Sequence, residues 1–279
     1  MTNRMRSHAL RTAITLGMAL LAMIMIYPFV WMVSGSFKVL SELYAVPPTL
    51  FPAQPTLANY ATVFEKMDVL GNMYKNSVIV AVSVTAIQIV TCSTAAFAFA
   101  KLRFPGRNVI FMVFLASMMI PGQMTIIPLY TIIKNLRLMD SLFSLILLGS
   151  FNIFGIFLIR QFFLSVPQAL NDAAKLDGCN PFKSYLYVHL PLARPVIAVV
   201  AILTFNGTWG DFFGPLIFLK SIENMTLPLG ISIIQGVYSQ QSPTVMIATL
   251  VVSIIPVLIV FLAGRKQLIS GLTTTGMKL

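Results

Sequence analysis

The sequence predicts an all-α polytopic membrane protein. It has six transmembrane helices, both termini on the cytoplasmic side, and a polar helical hairpin in the cytoplasm between spans four and five. Three observations predict this. Hydrophobic residues make up 57% of the 279 and charged residues only 10%, where a soluble domain carries about 25% charge. Six runs reach the roughly 20 apolar residues that cross a bilayer, and none alternates with the period of two that a barrel needs. Lys and Arg are distributed unevenly between the pieces that join these runs, which sets orientation.

The first run is residues 13–35. Arg4, Arg6 and Arg11 precede it, as they would a secretory signal, but it is too long for a signal core and no small-x-small cleavage site follows. It reads as a retained helix. The later spans are 77–100, 108–133, 141–159, 196–219 and 245–264, and the chain, 1–279, reads as a single transmembrane domain. The long outer loop Lys38–Lys75 carries prolines at 47, 48, 52 and 55 that break regular structure. Its later residues suit a short helix lying on the membrane. Pro121 and Pro128 fall inside the third span and predict a kinked or broken helix, which membranes tolerate only where protein or a water-filled cavity satisfies the freed backbone groups.

With the N-terminus inside, thirteen of the nineteen Lys and Arg lie on the cytoplasmic side, among them Lys101, Arg103, Arg107, Lys175, Lys183, Arg265 and Lys278. Outside lie Lys38, Lys66, Lys75, Lys134, Arg137 and Lys220. The net charge of +11 therefore belongs to orientation and lipid headgroups. No basic face interleaved with aromatics points to nucleic acid. Cys92 and Cys179 form no CxxC or Cys/His cluster, so they read as two free thiols with neither a metal site nor a disulfide.

The hairpin occupies residues 165–195. Ser165 and Gln168 have the spacing of a capping box, Pro167 suits a first helical turn, and the helix can run to Asp177. Gly178 suits a left-handed stop. Val166, Ala169, Leu170, Ala173 and Leu176 share one side, with Gln168, Asp172 and Lys175 on the other. A second limb starts at Asn180 and Pro181 and carries Phe182, Tyr185, Leu186 and Tyr187. The hairpin reads either as an amphipathic element on the bilayer or as a docking element for a cytoplasmic partner. Ala173 and Ala174 at its centre and a mixed-charge polar side favour docking, since surface-bound helices prefer a Lys-rich face.

At these residues the chain resembles a known family. "DAAKLDGCNPFKSYLYVHLPLARP" is similar to the EAA loop of inner-membrane permease subunits of binding-protein-dependent ABC importers. Asp172-Ala173-Ala174 stands for Glu-Ala-Ala, Asp177-Gly178 follows at the family spacing, and Pro191 and Pro195 close the pattern. Asp replaces the usual Glu, shortening the reach by one methylene. "SGSFK", "PTLANY", "MMIPGQMTIIPLY", "GTWGDFFGPLIFL", "MTLPLGI" and "QLISGLTTTGMKL" resemble the shorter permease of the carbohydrate subfamily, the maltose and glycerol-3-phosphate type. Trp209-Gly210-Asp211-Phe212 departs from it with Gly for the common Asn.

The resemblance implies a carbohydrate importer in a bacterial or archaeal cytoplasmic (inner) membrane. This chain would form half of the pathway, beside a second, non-identical permease subunit. Two ATP-binding cassette subunits would lie beneath, and an extracytoplasmic solute-binding protein would dock outside. Asp172, Ala173, Ala174, Asp177, Gly178 and Pro191 would couple the spans to the ATPase. The chain has no GxxxxGK[ST], so ATP and Mg would bind to the partner ATPase subunits, and neither cofactor nor catalytic residue is expected here. Alternatives are a polyol, glycerol phosphate or other small-solute cargo, or a stand-alone secondary transporter.

Asp211 is the one carboxylate inside a predicted span, roughly 22 Å along from Val196 at 1.5 Å per residue. An ionisable residue at that depth is a functional candidate, or else a buried partner for a polar group of the companion subunit. With Asn206, Trp209 and Phe212 nearby it suits a sugar, whose C–H face stacks on aromatics while its hydroxyls hydrogen-bond. Gln88, Gln123 and Asn152 are polar within spans, as interhelical hydrogen bonding or a pathway would require.

Overall fold

The computed structural model describes residues 2–65, 67–237 and 242–276. Lys66 and Lys278, counted in the charge argument, lie outside them, as do the last three residues of the 267–279 motif. Among the described residues there are helices and turns and no strand. In chain order the helices are α1 Thr2–Ser36, α2 Leu40–Leu43, α3 Ala58–Glu65, α4 Met67–Lys101, α5 Arg107–Ser117, α6 Ile126–Asn135, α7 Leu142–Gly149, α8 Ile153–Ser165, α9 Gln168–Leu176, α10 Pro181–Ser184, α11 Leu190–Leu192, α12 Arg194–Trp209, α13 Phe213–Phe218, α14 Leu227–Val237 and α15 Pro243–Gly276.

Among the described residues, four stretches are long and apolar enough to cross a bilayer: Leu10–Ser36, Val69–Lys101, Leu142–Ser165 and Pro243–Gln267. Two bent pairs pass the same test, Arg107–Ser117 with Gly122–Asn135 at 96° and Pro181–Leu192 with Arg194–Trp209 at 78°. The first bend falls in the expected third span. Pro121 stands at it, before a 3₁₀ turn over Gly122–Thr125. Pro128 lies in the first turn of α6, where a missing N–H breaks no hydrogen bond, so only one of the two prolines bends the chain.

Among the described residues, 2–65, 67–68, 237 and 242–255 form one compact unit, and 69–236 with 256–276 form another. In the first, Asn59 ties the two halves of the "SGSFK … PTLANY" pattern together. Its Nδ2 donates to Ser36 O at 2.8 Å and Lys38 O at 2.9 Å, and its Oδ1 accepts from Thr244 Oγ1 at 2.8 Å. Lys38 is buried, with Nζ donating to Thr49 O and Oγ1.

The second unit has an aromatic-rich core of Phe97, Phe99 and Phe111 against Ile156, Ile159, Phe163 and Tyr185. The fourth span continues six residues past its expected end at Ile159, to Ser165, with a break at residues 150–152 between α7 and α8. Ser141 caps the first half, and Asn152 caps the second by accepting from Gly155 N at 3.1 Å. The break strands carbonyls in an apolar setting, which is costly unless they are paired. One face of α4 meets them. Gln88 Nε2 donates to Gly149 O at 2.6 Å, Thr91 Oγ1 to Ser150 O at 2.9 Å, and Cys92 Sγ to Asn152 O at 3.3 Å. Positions 88, 91 and 92 share a helical face by the i, i+3, i+4 rule, so α4 carries a polar stripe matched to the break. Close approach needs a glycine there: a Cβ at Gly149 would stand 2.9 Å from both methyls of Val84.

Candidate functional site

The hairpin begins differently from its expected capping box. Ser165 is the last residue of α8, and its Oγ donates back to Phe162 O at 2.8 Å. Val166 and Pro167 are extended, so the cap position falls on Pro167, whose ring carries no hydrogen-bonding group. Gln168 instead donates to Asp172 Oδ1 at 3.3 Å. The start of the hairpin is held from α4, where Lys101 Nζ donates to Val166 O at 2.9 Å.

The stop is as expected. Gly178 has φ +76°. Cys179 N donates to Ala174 O at 2.9 Å and Gly178 N to Lys175 O at 3.0 Å, the paired bonds of a Schellman motif. Asn180 caps the second limb, with Oδ1 accepting from Lys183 N at 2.8 Å and Pro181 at its first position. A turn of π-helix, Tyr185–His189, leads through α11, which contains Pro191, to the 78° bend into α12.

The limbs are mounted rigidly. Tyr185 OH pairs with Ser93 Oγ at 2.8 Å. The fully buried His189 ring packs edge-on to Phe97 and Phe163 at 5.0 and 5.7 Å, with Nδ1 3.1 Å from Ser184 O. This is a packing role for His189. Asn171 faces inward with Ala174, its Oδ1 accepting from Ser184 Oγ at 3.3 Å.

The buried side of α9 is therefore the Asn171–Ala174 side, and the expected apolar row divides: Val166, before the helix, is buried, while Ala169, Leu170, Ala173 and Leu176 face outward. Leu176 is 89% exposed, Leu170 and Ala173 are exposed on the same helix, and Phe182 and Tyr187 are exposed on the second limb. Asp172 and Lys175 flank that row with side chains 59% and 68% exposed, 3.9 Å apart. An ion pair so open to water holds weakly, which leaves the Asp172 carboxylate available to another cation. Asp177 and Gly178 are exposed at the tip.

The fifth span corrects its expected boundaries. Helix α12 ends at Trp209, and Asp211 lies in a break before α13 instead of inside a continuous helix. Its Oδ1 accepts from Phe213 N and Gly214 N, both at 3.1 Å, so the carboxylate caps the second half of the span. Trp209 is buried, stacked on Phe205 at 5.8 Å and edge-on to Tyr74 at 5.4 Å, whereas Asn206 and Phe212 are exposed. The four residues named from sequence therefore do not share one surface.

Asp140 was not singled out in the sequence. Its φ is +59°. Its Oδ1 accepts from Lys220 N at 2.8 Å and Ser221 N at 3.0 Å, its Oδ2 accepts from Ser221 Oγ, and its carbonyl accepts from Asn224 Nδ2 at 2.7 Å. These bonds, the Ser221 hydroxyl first, hold its carboxyl down at about 2. A depressed carboxylate stabilises the fold above its ordinary value near 4, and that stabilisation is lost as pH falls through about 2. Asp140→Asn is expected to lower the melting temperature of the purified protein at pH 7. A melting series toward acid should show the gap between variant and wild type closing below about pH 4; a constant gap would exclude the carboxylate as its source.

Residues 88–267 match the family described as "Binding-protein-dependent transport system inner membrane component". The chain is similar to the arabinooligosaccharides transport system permease protein AraQ of Bacillus subtilis (strain 168), 33% identical over 96% of each chain. It is also similar to that organism's galactooligosaccharides transport system permease protein GanQ, 31% identical over 94% of this chain and 93% of that one. The lactose transport system permease protein LacG of Rhizobium radiobacter is 31% identical over 91% and 92%. Among solved structures, a bacterial ABC transporter involved in the import of the acidic polysaccharide alginate matches with a TM-score of 0.80. It is 25% identical, over 94% of this chain and 96% of that one.

Proposed function

The chain belongs to the family of binding-protein-dependent transport system inner membrane components, and from that premise we propose that it is the permease subunit of an ABC importer for an oligosaccharide. Relatives named for arabinooligosaccharide, galactooligosaccharide and lactose transport support a carbohydrate cargo. The chain forms half of the pathway beside a second, non-identical permease, with six spans, both termini inside, in a bacterial or archaeal cytoplasmic membrane. Two ATPase subunits bind ATP and Mg beneath it, and a solute-binding protein docks outside.

The observation that carries this reading is the outward row of α9. Leu170, Ala173 and Leu176 form an exposed apolar row on a helix whose other side is bonded into the bundle, the kind of patch that a partner covers. A groove of the ATPase supplies one, and a cation there takes the Asp172 carboxylate. Because the limbs are rigid, movement of the groove moves α12 through Pro191 and the bend. Proteoliposomes holding the chain with its companion permease, ATPase and binding protein should take up saccharide only with internal ATP. ATP-independent uptake by this chain alone would replace the reading with a stand-alone carrier.

A further inference from the structure

Between α9 and the turn that joins α4 to α5 lies a cavity of about 710 Å³. Lys101, Arg103, Arg107 and Lys175 stand around it, with Asp172 as the one carboxylate of its lining. Asp172 is already engaged by Lys175 and by Gln168 Nε2. Among the described residues no other salt bridge forms, so Lys101, Arg103 and Arg107 line the cavity without a counter-ion. Each keeps donors to offer. Lys101 Nζ spends one of its three on Val166 O. Arg107 spends Nε on Asn108 Oδ1 at 3.4 Å and Nη1 on Leu102 O at 3.0 Å, out of five N–H groups. Arg103 is exposed, and its guanidinium bonds to no described residue. Cations gathered at one concave wall raise its potential and draw an anion to it.

The place of the cavity narrows the choice of anion. The apolar stretch Val69–Lys101 ends at its wall, and α5 starts there at Arg107, the level at which basic residues meet lipid headgroups. A neighbouring cavity of about 460 Å³ shares Arg103 and Arg107 and reaches Val109. Val109, Met112 and Val113 lie on one side of α5 and are exposed, so an apolar strip leads away from the basic wall. Guanidinium forks match the oxygens of a phosphate. We infer that this cavity binds a phosphate group at the inner membrane surface, held by Lys101, Arg103 and Arg107. The apolar strip favours a phospholipid as its source, with an acyl chain lying along α5. A phosphate there bridges the end of α4 to Lys175 on α9, and so steadies the hairpin against the spans. The inference rests on the proposed orientation for its leaflet and adds a ligand that is neither cargo nor nucleotide.

The purified full-length chain in dodecyl maltoside offers a local readout. Cys179 lines the cavity and is partly exposed, whereas Cys92 is buried. The rate at which N-ethylmaleimide alkylates Cys179 is followed on its peptide by mass spectrometry. Phosphatidylglycerol, phosphatidylcholine and inorganic phosphate are added in separate series. Phosphatidylglycerol is expected to protect Cys179, and phosphatidylcholine, whose choline cancels the phosphate charge, is not. Arg103→Gln removes a cation that holds nothing else in place. It is expected to raise the lipid needed for half-protection about fivefold, the share of one cation at an anionic headgroup. Protection by inorganic phosphate as well would keep the site and assign it to a soluble phosphate. Protection by neither anion, equal protection by phosphatidylcholine, or an Arg103→Gln variant protected like the parent would each overturn the site. The leaflet is checked separately with a membrane-impermeant maleimide, which should label Cys179 in inverted vesicles and spare it in right-side-out ones. The reverse pattern would overturn the orientation, while the detergent titration still decides the cavity.

Discussion

Gly178→Val is expected to abolish ATP-driven uptake while leaving the chain inserted and folded. Gly178 sits at φ +76°, where an L-residue pays about 1–2 kcal/mol and a β-branched one more. The chain relieves that strain by giving up the two bonds that end α9, Cys179 N to Ala174 O and Gly178 N to Lys175 O. A frayed α9 no longer holds Leu176 and Asp172 in fixed positions, so under the coupling proposed above closure of the ATPase would bend the hairpin instead of moving α12. No Cβ clash accompanies the change, because the space around Gly178 is open, and the spans are therefore spared. Uptake and ATPase binding should be measured together. Gly178→Asn, which tolerates the left-handed conformation, should retain most of the uptake. Asp172→Arg should show a related loss by reversing the charge beside Leu176. Wild-type uptake by the valine variant would show that α9 is not the coupling element.

Gln88→Leu should produce the largest loss of stability among single changes within the spans. The Gln88 amide donates to Gly149 O at 2.6 Å and accepts from Thr204 Oγ1 at 2.7 Å, so one side chain joins α4, the break in span four and α12. It is buried, as is Thr204. Leucine fills the volume but leaves a carbonyl and a hydroxyl unpaired, at about 1–3 kcal/mol for each such group. Membrane-embedded bonds run toward the lower end, so a total of about 2–4 kcal/mol is expected. The detergent-solubilised complex should melt roughly 5–10 °C lower, taking about 2–4 °C per kcal/mol for a chain of this size. An unchanged melting temperature would mean that water replaces the amide at the break.

These two predictions differ in how much of each could be read from the sequence. Gly178 and Asn180 were legible because a helix stop and a helix cap are matters of three or four neighbouring residues. The outward face of α9 was not. The apolar side chains suggested which residues belong together, but the buried side proved to be Asn171 and Ala174, selected by bonds from Ser184 and packing on α10. Ser165 misled for a related reason. Its spacing to Gln168 fits a capping box, yet α8 runs on to include it, and a residue that ends one helix is not free to start the next.

Asp140 and Asp211 mark the same limit from opposite directions. Asp211 drew attention as a carboxylate inside a continuous apolar run. The run is broken at Gly210–Phe212, and the carboxylate satisfies the backbone that the break exposes. Asp140 carries no local signal in the sequence, because its partners at 220, 221 and 224 lie 80 or more positions away.

By itself the sequence determined that this chain dissolves in lipid, roughly where its apolar runs lie, and that a capped hairpin with a glycine stop interrupts them. Composition, run length and local caps are properties of a segment, and water or lipid reads them before any two segments meet. The tertiary structure alone decided where the spans break, which α4 residues meet the freed carbonyls, and which side of the hairpin is left bare. Those outcomes depend on pairing polar groups far apart in the chain, and in an apolar medium each unpaired group is costly enough to select one arrangement of the helices.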